Sequence, residues 1–476
     1  MSRPLPRSLD KMIVIGVLAS LVLSVVATRG GLKATRELLS PAEILPPVDP
    51  LECPVEPILH DPRDRSDPVI NEYFVHRQEW LEQEFHPKRS AGTFRSHDDL
   101  MYIKLPNGGS FVYWQQREGA DGWAHPVFDI SAWHTDEFGH MEPVEGAHYA
   151  DPYTWNFVHP NSQYQSVEIR DTIKIQGDYV VFVSGWFAAY QHIIIDRLGY
   201  FLYMVKTLPE TTRILMPSYG DSEFFRRMIF TVEPQLIKRI DTFECKEYPR
   251  CDSPRIQVEN GSLSILAPKS STAHLDLFEL IRSWLWNSPR IKENVIRTET
   301  EKTIVYYTRN PEEGKTKASN SRFMDAQQEE QIIGRIEHAI QRYGRTEKLV
   351  VFNGDLSFLD QIKLFHSASI LIGPHGGGLA NILLMAPAKR GTCETRPKVL
   401  EFVTSMDTPS MQGGISVGAT YHTLFLTCPW VELHQVLFTP ESTPQVTYIN
   451  MDAFDDALKS LFSRSTVQQL GAPTRY

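Results

Sequence analysis

The C-terminal half of the chain alternates short apolar runs with longer amphipathic segments, and this alternation constrains the fold more than any other feature. The apolar runs are rich in β-branched residues and predict strands at 303–309, 348–353, 369–373 and 398–402. Between them, 325–344 has helical spacing and ends at a glycine, and Ser357 is placed to cap the next helix. Strands that alternate with helices predict a parallel sheet covered by helices.

The middle of the chain carries a second, less regular alternation of the same kind. It predicts strands at 178–185, 212–217 and 262–268, and helices over 189–208, from 222 onward and over 274–286. Two α/β regions of this kind predict two Rossmann-like domains that face one cleft, at 69–290 and 291–476. Residues 70–160 are rich in aromatic residues, and no element can be assigned there from the sequence.

An apolar run without charge marks the N-terminus. Met12–Thr28 follows three basic residues and is about 17 residues long, at the short end for a membrane span and long for the core of a signal peptide. We favour a retained signal anchor, which makes 1–11 a cytoplasmic tail, 12–28 a transmembrane helix and the Pro-rich residues 29–68 a stem. A signal cleaved near Val25-Val26-Ala27 and a buried helix stay open as alternatives.

The charge of the chain excludes one class of partner. It has 48 Lys and Arg against 58 Asp and Glu, a net charge of -10. Binding to a nucleic-acid backbone is therefore not a general property of this chain, and no nucleic-acid partner is expected. An anionic ligand must be held by a local site.

Three features together favour the secretory lumen: the apolar run, the cysteines and a glycosylation sequon at Asn260-Gly-Ser262. The five cysteines show no metal-ligand spacing. They are Cys53, Cys245, Cys251, Cys393 and Cys428. Two disulfides, one within 245–251 and one within 393–428, and five reduced thiols are both compatible with this pattern.

The sharpest motif is Gly373-Pro-His-Gly-Gly-Gly-Leu-Ala-Asn381, between a predicted strand and a helix predicted from about Leu379. Glycines let the backbone approach a ligand closely, and a helix N-terminus offers N–H groups to a diphosphate. In open α/β sheets, ligands bind beyond the carboxyl ends of the strands. The turn therefore predicts a phosphate site, with simple turn geometry as the alternative. The candidate binding residues are Gly373, His375, Gly376, Gly377, Gly378 and Asn381.

Three charged residues fall near the same predicted edge. Arg309 ends the strand 303–309 and Arg322 follows shortly after it, and an arginine can bind phosphate with two donors. Glu401 lies in the next strand and could accept ribose hydroxyls, as the acidic residue of dinucleotide-binding folds does. A surface charge is the alternative for each arginine, and a solvated strand end is the alternative for Glu401.

In this order, the elements resemble glycosyltransferase family 61. The resemblance runs from about 180 to 405 and is strongest over TIVYYTRN, SNSR, LSFLDQIKLFHSASILIGPHGGGLANILLMAP and VLEF. A weaker match, Gln191-His192-Ile-Ile-Ile-Asp196-Arg-Leu, resembles the family's His-x-x-x-Asp/Glu segment. Where the family has Trp, Pro, Asn-Glu and Ala, this chain has Ile193, Gly199, Asp325-Ala326 and Gly377.

The resemblance implies a GT-B fold, an inverting mechanism and a nucleotide-sugar donor, usually a UDP-sugar, bound on the C-terminal domain. The acceptor, a glycan or glycoprotein, would enter from the N-terminal domain, and the sugar would be xylose, GlcNAc or similar. We expect a single-pass type II protein of the Golgi or endoplasmic reticulum membrane with a lumenal catalytic domain. The UDP-sugar is a substrate, and no cofactor is expected.

Inversion needs a general base for the acceptor hydroxyl and positive groups for the departing diphosphate. The helix N-terminus, Arg309 and Arg322 could supply the positive groups. For the base we predict Asp196, with His192 on the same helical face and His375 as the rival; a salt bridge at the helix start is the alternative for Asp196. The chain has no Asp-x-Asp motif, so we predict departure without a metal, and metal dependence stays open.

Two other functions stay open. The departures from the family pattern allow a non-catalytic relative that binds glycans in the cleft. A GT-B transferase that uses a different nucleotide sugar is the second alternative.

Overall fold

The computed structural model describes residues 58–63, 66–68, 70–71, 100–105, 110–117, 124–130, 133–135, 141–143, 148–150, 157–158, 172–182, 190, 193–218, 222–244, 255–268, 275–296, 301–310, 323–386, 396–403, 431–443 and 445–463. The predicted anchor Met12–Thr28 and all five cysteines lie outside these residues. No helix within the described ranges is long and apolar enough to cross a membrane.

Strands predominate among the described elements up to Phe182, and helices alternate with strands beyond it. The strands are β1 Ile58–His60, β2 Leu100–Leu105, β3 Ser110–Arg117, β4 Ala124–Ile130, β5 Trp133–Thr135, β6 Met141–Pro143, β7 His148–Ala150, β8 Phe157–Val158, β9 Thr172–Gln176, β10 Tyr179–Phe182, β11 Arg213–Ser218, β12 Ile240–Glu244, β13 Arg255–Glu259, β14 Leu263–Pro268, β15 Thr303–Tyr307, β16 Phe323–Met324, β17 Lys348–Phe352, β18 Ala368–Pro374, β19 Lys398–Val403, β20 Glu432–Leu437 and β21 Val446–Thr447. The α-helices are α1 Leu198–Thr207, α2 Ser222–Val232, α3 Leu275–Asn287, α4 Pro289–Ile291, α5 Ala326–Arg342, α6 Phe358–Ser367 and α7 Met451–Phe462. Two π-helical segments, Ile193–Arg197 and Lys292–Ile296, and two 3-10 helices, Pro234–Arg239 and Gly377–Leu384, complete the set.

The C-terminal sheet has six parallel strands in the order β1-β20-β19-β18-β15-β17. Side chains of β15 alternate between its two faces. Ile304 and Tyr306 pack in the cluster that contains residues of α5 and α7, whereas Val305 packs in the cluster that contains residues of α6. Both faces are therefore buried, which is the usual environment of a parallel sheet.

A second sheet has the order β12-β11-β10-β14-β2, in which β2 runs antiparallel to β14 and the other pairs are parallel. Phe201 of α1, Phe225 of α2 and Phe278 of α3 are buried in one apolar cluster, which continues into the C-terminal half through Val305 and Leu379. The mixed α/β class with parallel sheets is thus confirmed, and the two sheets share a core. The domain boundary at 290–291 stays a prediction.

A third sheet, in the order β8-β7-β4-β3-β13-β9, is built mainly from the region in which the sequence predicts no elements. Its strands are mostly short. Short strands of two to eight residues give weak periodicity, which explains why this sheet is absent from the sequence prediction.

Most of the predicted elements of the C-terminal half are confirmed with small shifts. The predicted helix 325–344 is α5, whose N-cap Asp325 accepts a hydrogen bond from the N–H of Gln328, and Ser357 caps α6 in the same way. The helix predicted from Leu379 is wrong in type and start. Gly377–Leu384 is a 3-10 helix, and this tighter form lies in a layer between α3 and α6 where almost every residue is buried.

Strand β1 lies inside the segment 29–68 that the sequence predicts as a stem, and it pairs with β20 at the edge of the C-terminal sheet. Its His60 Nε2 lies 2.9 Å from His434 Nδ1, and His434 Nε2 lies 2.8 Å from Glu432 Oε1. Burial and the neighbouring His434 lower the pKa of His60 to about 4. A row of three polar side chains therefore accompanies the pairing of β1 with β20, and its outermost member, His60, is neutral at physiological pH.

Gly199→Ala tests the crossing of α1 and α3, because a Cβ at Gly199 would lie 2.7 Å from the Cβ of Leu277. Overpacking of this kind should lower the free energy of unfolding by about 1–3 kcal/mol. Gly334→Ala in α5 is the matched control: no atom lies within 4 Å of its Cβ, and the change should stabilise by about 0.5–1 kcal/mol. Thermal midpoints of both variants check this, and equal shifts would contradict it.

Candidate active site

The strands β15, β18 and β19 are neighbours in the C-terminal sheet, and their carboxyl ends share one edge. Arg309 follows β15, His375 follows β18, and Glu401 lies in β19 opposite Gly373. Arg309 Nη1 lies 3.5 Å from the carbonyl oxygen of His375. The structure therefore brings together the predicted residues of the glycine turn, Arg309 and Glu401.

Alternation along the end of β15 determines where Arg309 points. Tyr306 and Thr308 donate hydrogen bonds of 3.0 and 2.6 Å to Glu329 Oε1 in the first turn of α5, and Asn310 Nδ2 donates one of 2.6 Å to Glu329 Oε2. Burial and the Glu329 carboxylate raise the pKa of Tyr306 well above its usual value. The residues between them, Tyr307 and Arg309, therefore face the glycine turn.

Three glycines of the turn are required by contact with the end of β15. A Cβ at Gly373 would lie 2.6 Å from the carbonyl oxygen of Tyr307, and a Cβ at Gly378 would overlap the ring of Tyr307. A Cβ at Gly376 would overlap Arg309 Nη1. Gly373 is therefore required by the backbone of β15, Gly378 leaves room for the ring of Tyr307, and Gly376 lets the guanidinium of Arg309 lie directly against the backbone of the turn.

Asn381, which the sequence predicts as a donor-binding residue, has a structural role in the fold. It is 1% exposed, its Nδ2 donates a hydrogen bond of 2.9 Å to the carbonyl oxygen of Gly378, and its Oδ1 accepts one from the Tyr190 hydroxyl. The ring of Tyr190 packs edge-on against Phe224 of α2, and burial raises the pKa of Tyr190. Asn381 thus links the glycine turn to a residue two positions before His192.

The prediction that Glu401 accepts ribose hydroxyls does not fit the structure. Its side chain is 0% exposed, its Oε1 lies 2.6 Å from His375 Nδ1, and its Oε2 accepts a hydrogen bond of 3.0 Å from Gln435 Nε2. Gly373, Glu401 and Gln435 are aligned across β18, β19 and β20. Both carboxylate oxygens therefore contact the protein interior, and Glu401 orients His375.

A buried arginine from the N-terminal half contacts the far end of the 3-10 helix. Arg282 of α3 donates hydrogen bonds of 3.1 and 3.3 Å to the carbonyl oxygens of Leu383 and Met385. Burial lowers the pKa of Arg282 to about 10. A cation at this C-terminus stabilises the last carbonyl groups and the dipole of the segment that begins at the glycine turn.

The remaining predicted site residues are only partly described. Arg322 and His192 lie outside the described residues, and Asp196 lies in the π-helical segment Ile193–Arg197, where its side chain is not described. Such π-helical turns occur frequently at functional sites. Asn260 is exposed and has a left-handed backbone, with φ of 55°.

Four residues of the site are absent from the sequence prediction: Gln435, Tyr190, Glu329 and Arg282. Gln435 and His434 are polar residues at buried positions of β20, and polar residues inside a buried strand are a usable sequence signal. The other three lie on helices or before one, at positions that resemble ordinary surface charges or core aromatics. Only the tertiary contacts distinguish them.

Within the described part of the chain, no group of three or more His, Cys, Asp or Glu side chains could hold a metal ion.

Comparison with known proteins adds the following findings. A family model described as Glycosyltransferase 61 matches residues 190–392. No curated protein matches the chain. Among solved structures, the chain is similar to the bacterial iron-containing dodecameric glycosyltransferase TibC from enterotoxigenic E. coli H10407, at 10% identity over 73% of this chain and 83% of that one, with a TM-score of 0.26. A second structure, of TibC as a heptosyltransferase in complex with ADP-D-beta-D-heptose, gives the same values.

Tyr190→Phe tests the link between the two halves. It removes the hydroxyl that satisfies Asn381 Oδ1, and an orphaned buried acceptor should cost about 1–3 kcal/mol of unfolding free energy. Tyr448→Phe is the control, because its hydroxyl makes only a 3.5 Å contact with Asp325 in a half-buried position, and it should change stability by less than about 0.5 kcal/mol. Urea unfolding midpoints distinguish the two, and a Tyr190→Phe variant as stable as the control would refute the link.

Proposed function

Because the chain carries a glycosyltransferase family 61 region over residues 190–392, we propose that it is an inverting glycosyltransferase that uses a UDP-sugar as donor. The transferred sugar is xylose, GlcNAc or a similar sugar, and the acceptor is a glycan or glycoprotein of the secretory pathway. The observation that carries this proposal is the guanidinium of Arg309 packed against Gly376, at the start of the helix Gly377–Leu384.

The donor diphosphate binds at this turn. A diphosphate is attracted by the N–H groups and positive dipole end of a helix that starts at the carboxyl edge of a parallel sheet. Arg309 adds a permanent positive charge there, held in place by the Glu329 network on the opposite face of β15. Together they stabilise the negative charge that appears on the diphosphate as the bond to the sugar breaks.

The acceptor side is the segment around Asp196. Tyr190 holds this part of the chain against Asn381, so the predicted base and the donor turn belong to neighbouring parts of the fold. In an inverting displacement the attacking hydroxyl and the leaving group lie on opposite faces of the anomeric carbon. Asp196, assisted by His192, therefore takes the acceptor proton, while the diphosphate leaves toward the glycine turn.

The arrangement in the cell follows from the same proposal. In this proposal the two sheets, parallel except for β2, correspond to a GT-B arrangement, with the donor on the C-terminal sheet and the acceptor entering from the N-terminal side. Met12–Thr28 anchors a type II protein in the Golgi or endoplasmic reticulum membrane, and the catalytic part is lumenal. The diphosphate departs without a metal, and transfer in the presence of chelator tests this.

A donor panel tests the function. The full chain, purified in detergent, should transfer sugar from UDP-xylose, UDP-GlcNAc or UDP-arabinose to members of a glycan acceptor array, with and without chelator, and the product should have inverted anomeric configuration by NMR. Transfer only from GDP-fucose would replace the proposed donor class. Glycan binding with no transfer from any donor would favour a non-catalytic relative.

Arg309→Lys tests the donor turn. Lysine keeps the charge but loses the planar fork, so we expect kcat/KM to fall roughly 100-fold. Arg335→Lys is the matched control, since Arg335 is on α5 and pairs with Asp455 at the surface, and its activity should stay within about twofold of the unmodified chain. Equal activity of both variants would exclude Arg309 from the donor site.

N-glycosylation of Asn260 tests whether this part of the protein is in the secretory lumen. It is exposed on a turn between β13 and β14, so a lumenal protein should carry an N-glycan there. Treatment with an endoglycosidase should shift the unmodified chain, expressed in a eukaryotic cell, to lower apparent mass and leave Asn260→Gln unchanged. A chain that shows no shift in cells that glycosylate a co-expressed secretory protein would contradict lumenal exposure of this turn.

A further inference from the structure

The chain Gln435–Glu401–His375 runs across three adjacent strands and ends at the glycine turn. Glu401 Oε2 accepts a hydrogen bond from Gln435 Nε2 at 3.0 Å, and Glu401 Oε1 lies 2.6 Å from His375 Nδ1. All three side chains are at least nine-tenths buried. Glu401 and Gln435 are in register across β19 and β20, and Gly373, two residues before His375, is the partner of Glu401 in β18, so the backbone pairing fixes the carboxylate beside the turn.

The negative charge of the buried Glu401 carboxylate must be compensated by hydrogen-bond donors or by an opposite charge. Burying a charge is costly unless donors and an opposite charge meet it. Gln435 can offer only an amide N–H to the carboxylate, so the ring N–H of His375 completes the pairing of Oε1. With Nδ1–H directed to Glu401, Nε2 is the ring nitrogen on the far side from β19.

The position of His375 decides what such a ring can do. It immediately precedes Gly376, against which the guanidinium of Arg309 packs. With the donor diphosphate bound at this turn, as proposed above, His375 is on the leaving-group side of the sugar. A base acts on the opposite face, so the proposal gives the base role to Asp196 and a leaving-group role to His375.

We propose that Glu401 and Gln435 are positioning residues that hold His375 as an imidazolium, with Nδ1–H donated to Glu401 and Nε2–H directed at the diphosphate oxygen that leaves the sugar. The acceptor oxygen forms the new bond to the anomeric carbon, the bond from that carbon to the diphosphate oxygen breaks, and its electron pair stays on the diphosphate. The acceptor proton goes to the base on the opposite face. His375 keeps its proton and shares it in a hydrogen bond, so the nucleoside diphosphate leaves as an anion. Because it acts on this leaving group, the role rests on the proposed function.

Glu401→Gln is the decisive variant, since it keeps the shape and an acceptor oxygen but removes the charge. We expect kcat to fall roughly 100-fold with the donor KM within about threefold, because charge on the leaving group develops only in the transition state. Glu432→Gln is the matched control: it is the same substitution in a carboxylate paired with a histidine of the same sheet, at the amino end of β20 away from the turn. Its kcat should stay within about twofold.

A double-mutant cycle separates positioning from simple structural support. If Glu401 acts through His375, then Glu401→Gln in a His375→Ala background should cause no further loss of kcat. Independent, multiplying losses would overturn the proposal, as would a Glu401→Gln variant that matches Glu432→Gln. Thermal midpoints establish that each variant is folded.

If Glu401→Gln is not folded, Gln435→Met replaces it, because this change removes only the amide that donates to Glu401. We expect kcat to fall about fivefold, which corresponds to the loss of one ordinary hydrogen bond. An unchanged kcat would overturn the proposal.

The unmodified chain distinguishes failure of this role from failure of the function. Absence of transfer from every nucleotide sugar would overturn the proposed function and this role with it. Normal transfer by the unmodified chain together with unchanged Glu401→Gln kinetics would overturn the role alone.

Discussion

The contact between the end of β15 and the glycine turn is the constraint on which the site depends. Tyr307 lies so close to the turn that a Cβ at Gly373 or Gly378 would clash with it, and Arg309 occupies the space that a Cβ at Gly376 would take. The neighbouring Tyr306 and Thr308 are tied to Glu329 on the other face, so the strand cannot rotate to relieve the contact. A parallel sheet buried on both faces provides this rigidity, because each strand residue is fixed by packing on its own side.

Local pattern predicted the elements of the site, and tertiary pairing decided their roles. The strands around the turn, the caps Asp325 and Ser357 and the position of Arg309 follow from apolar periodicity and capping chemistry, which act over a few residues. Glu401 and Asn381 lie where the motif suggested. Their partners, however, are Gln435 and Tyr190, which are 34 and 191 residues away. Rules that act over a few residues cannot identify partners this far apart in the chain. The sequence alone therefore does not distinguish whether Glu401 and Asn381 face a ligand or form hydrogen bonds inside the protein.

The two halves of the molecule meet at the helix Gly377–Leu384. Tyr190 contacts it in its middle, at Asn381, and Arg282 contacts its end, both from the N-terminal half, and the apolar core continues between the sheets. The halves also touch where Phe224 packs against Phe358 and Trp286 against His366. Contacts of this kind make a glycine turn sensitive to residues that never approach its ligand.

Strand β1 has a consequence for handling the protein. It covers the outer edge of β20 through backbone pairing, with His60 beside His434, although it lies in the part of the sequence that resembles a dispensable linker. A fragment cut after residue 60 would leave β20 as an open edge strand with unpaired N–H and C=O groups, the kind of edge that recruits other chains and aggregates. The safe point for truncation is therefore upstream of Ile58.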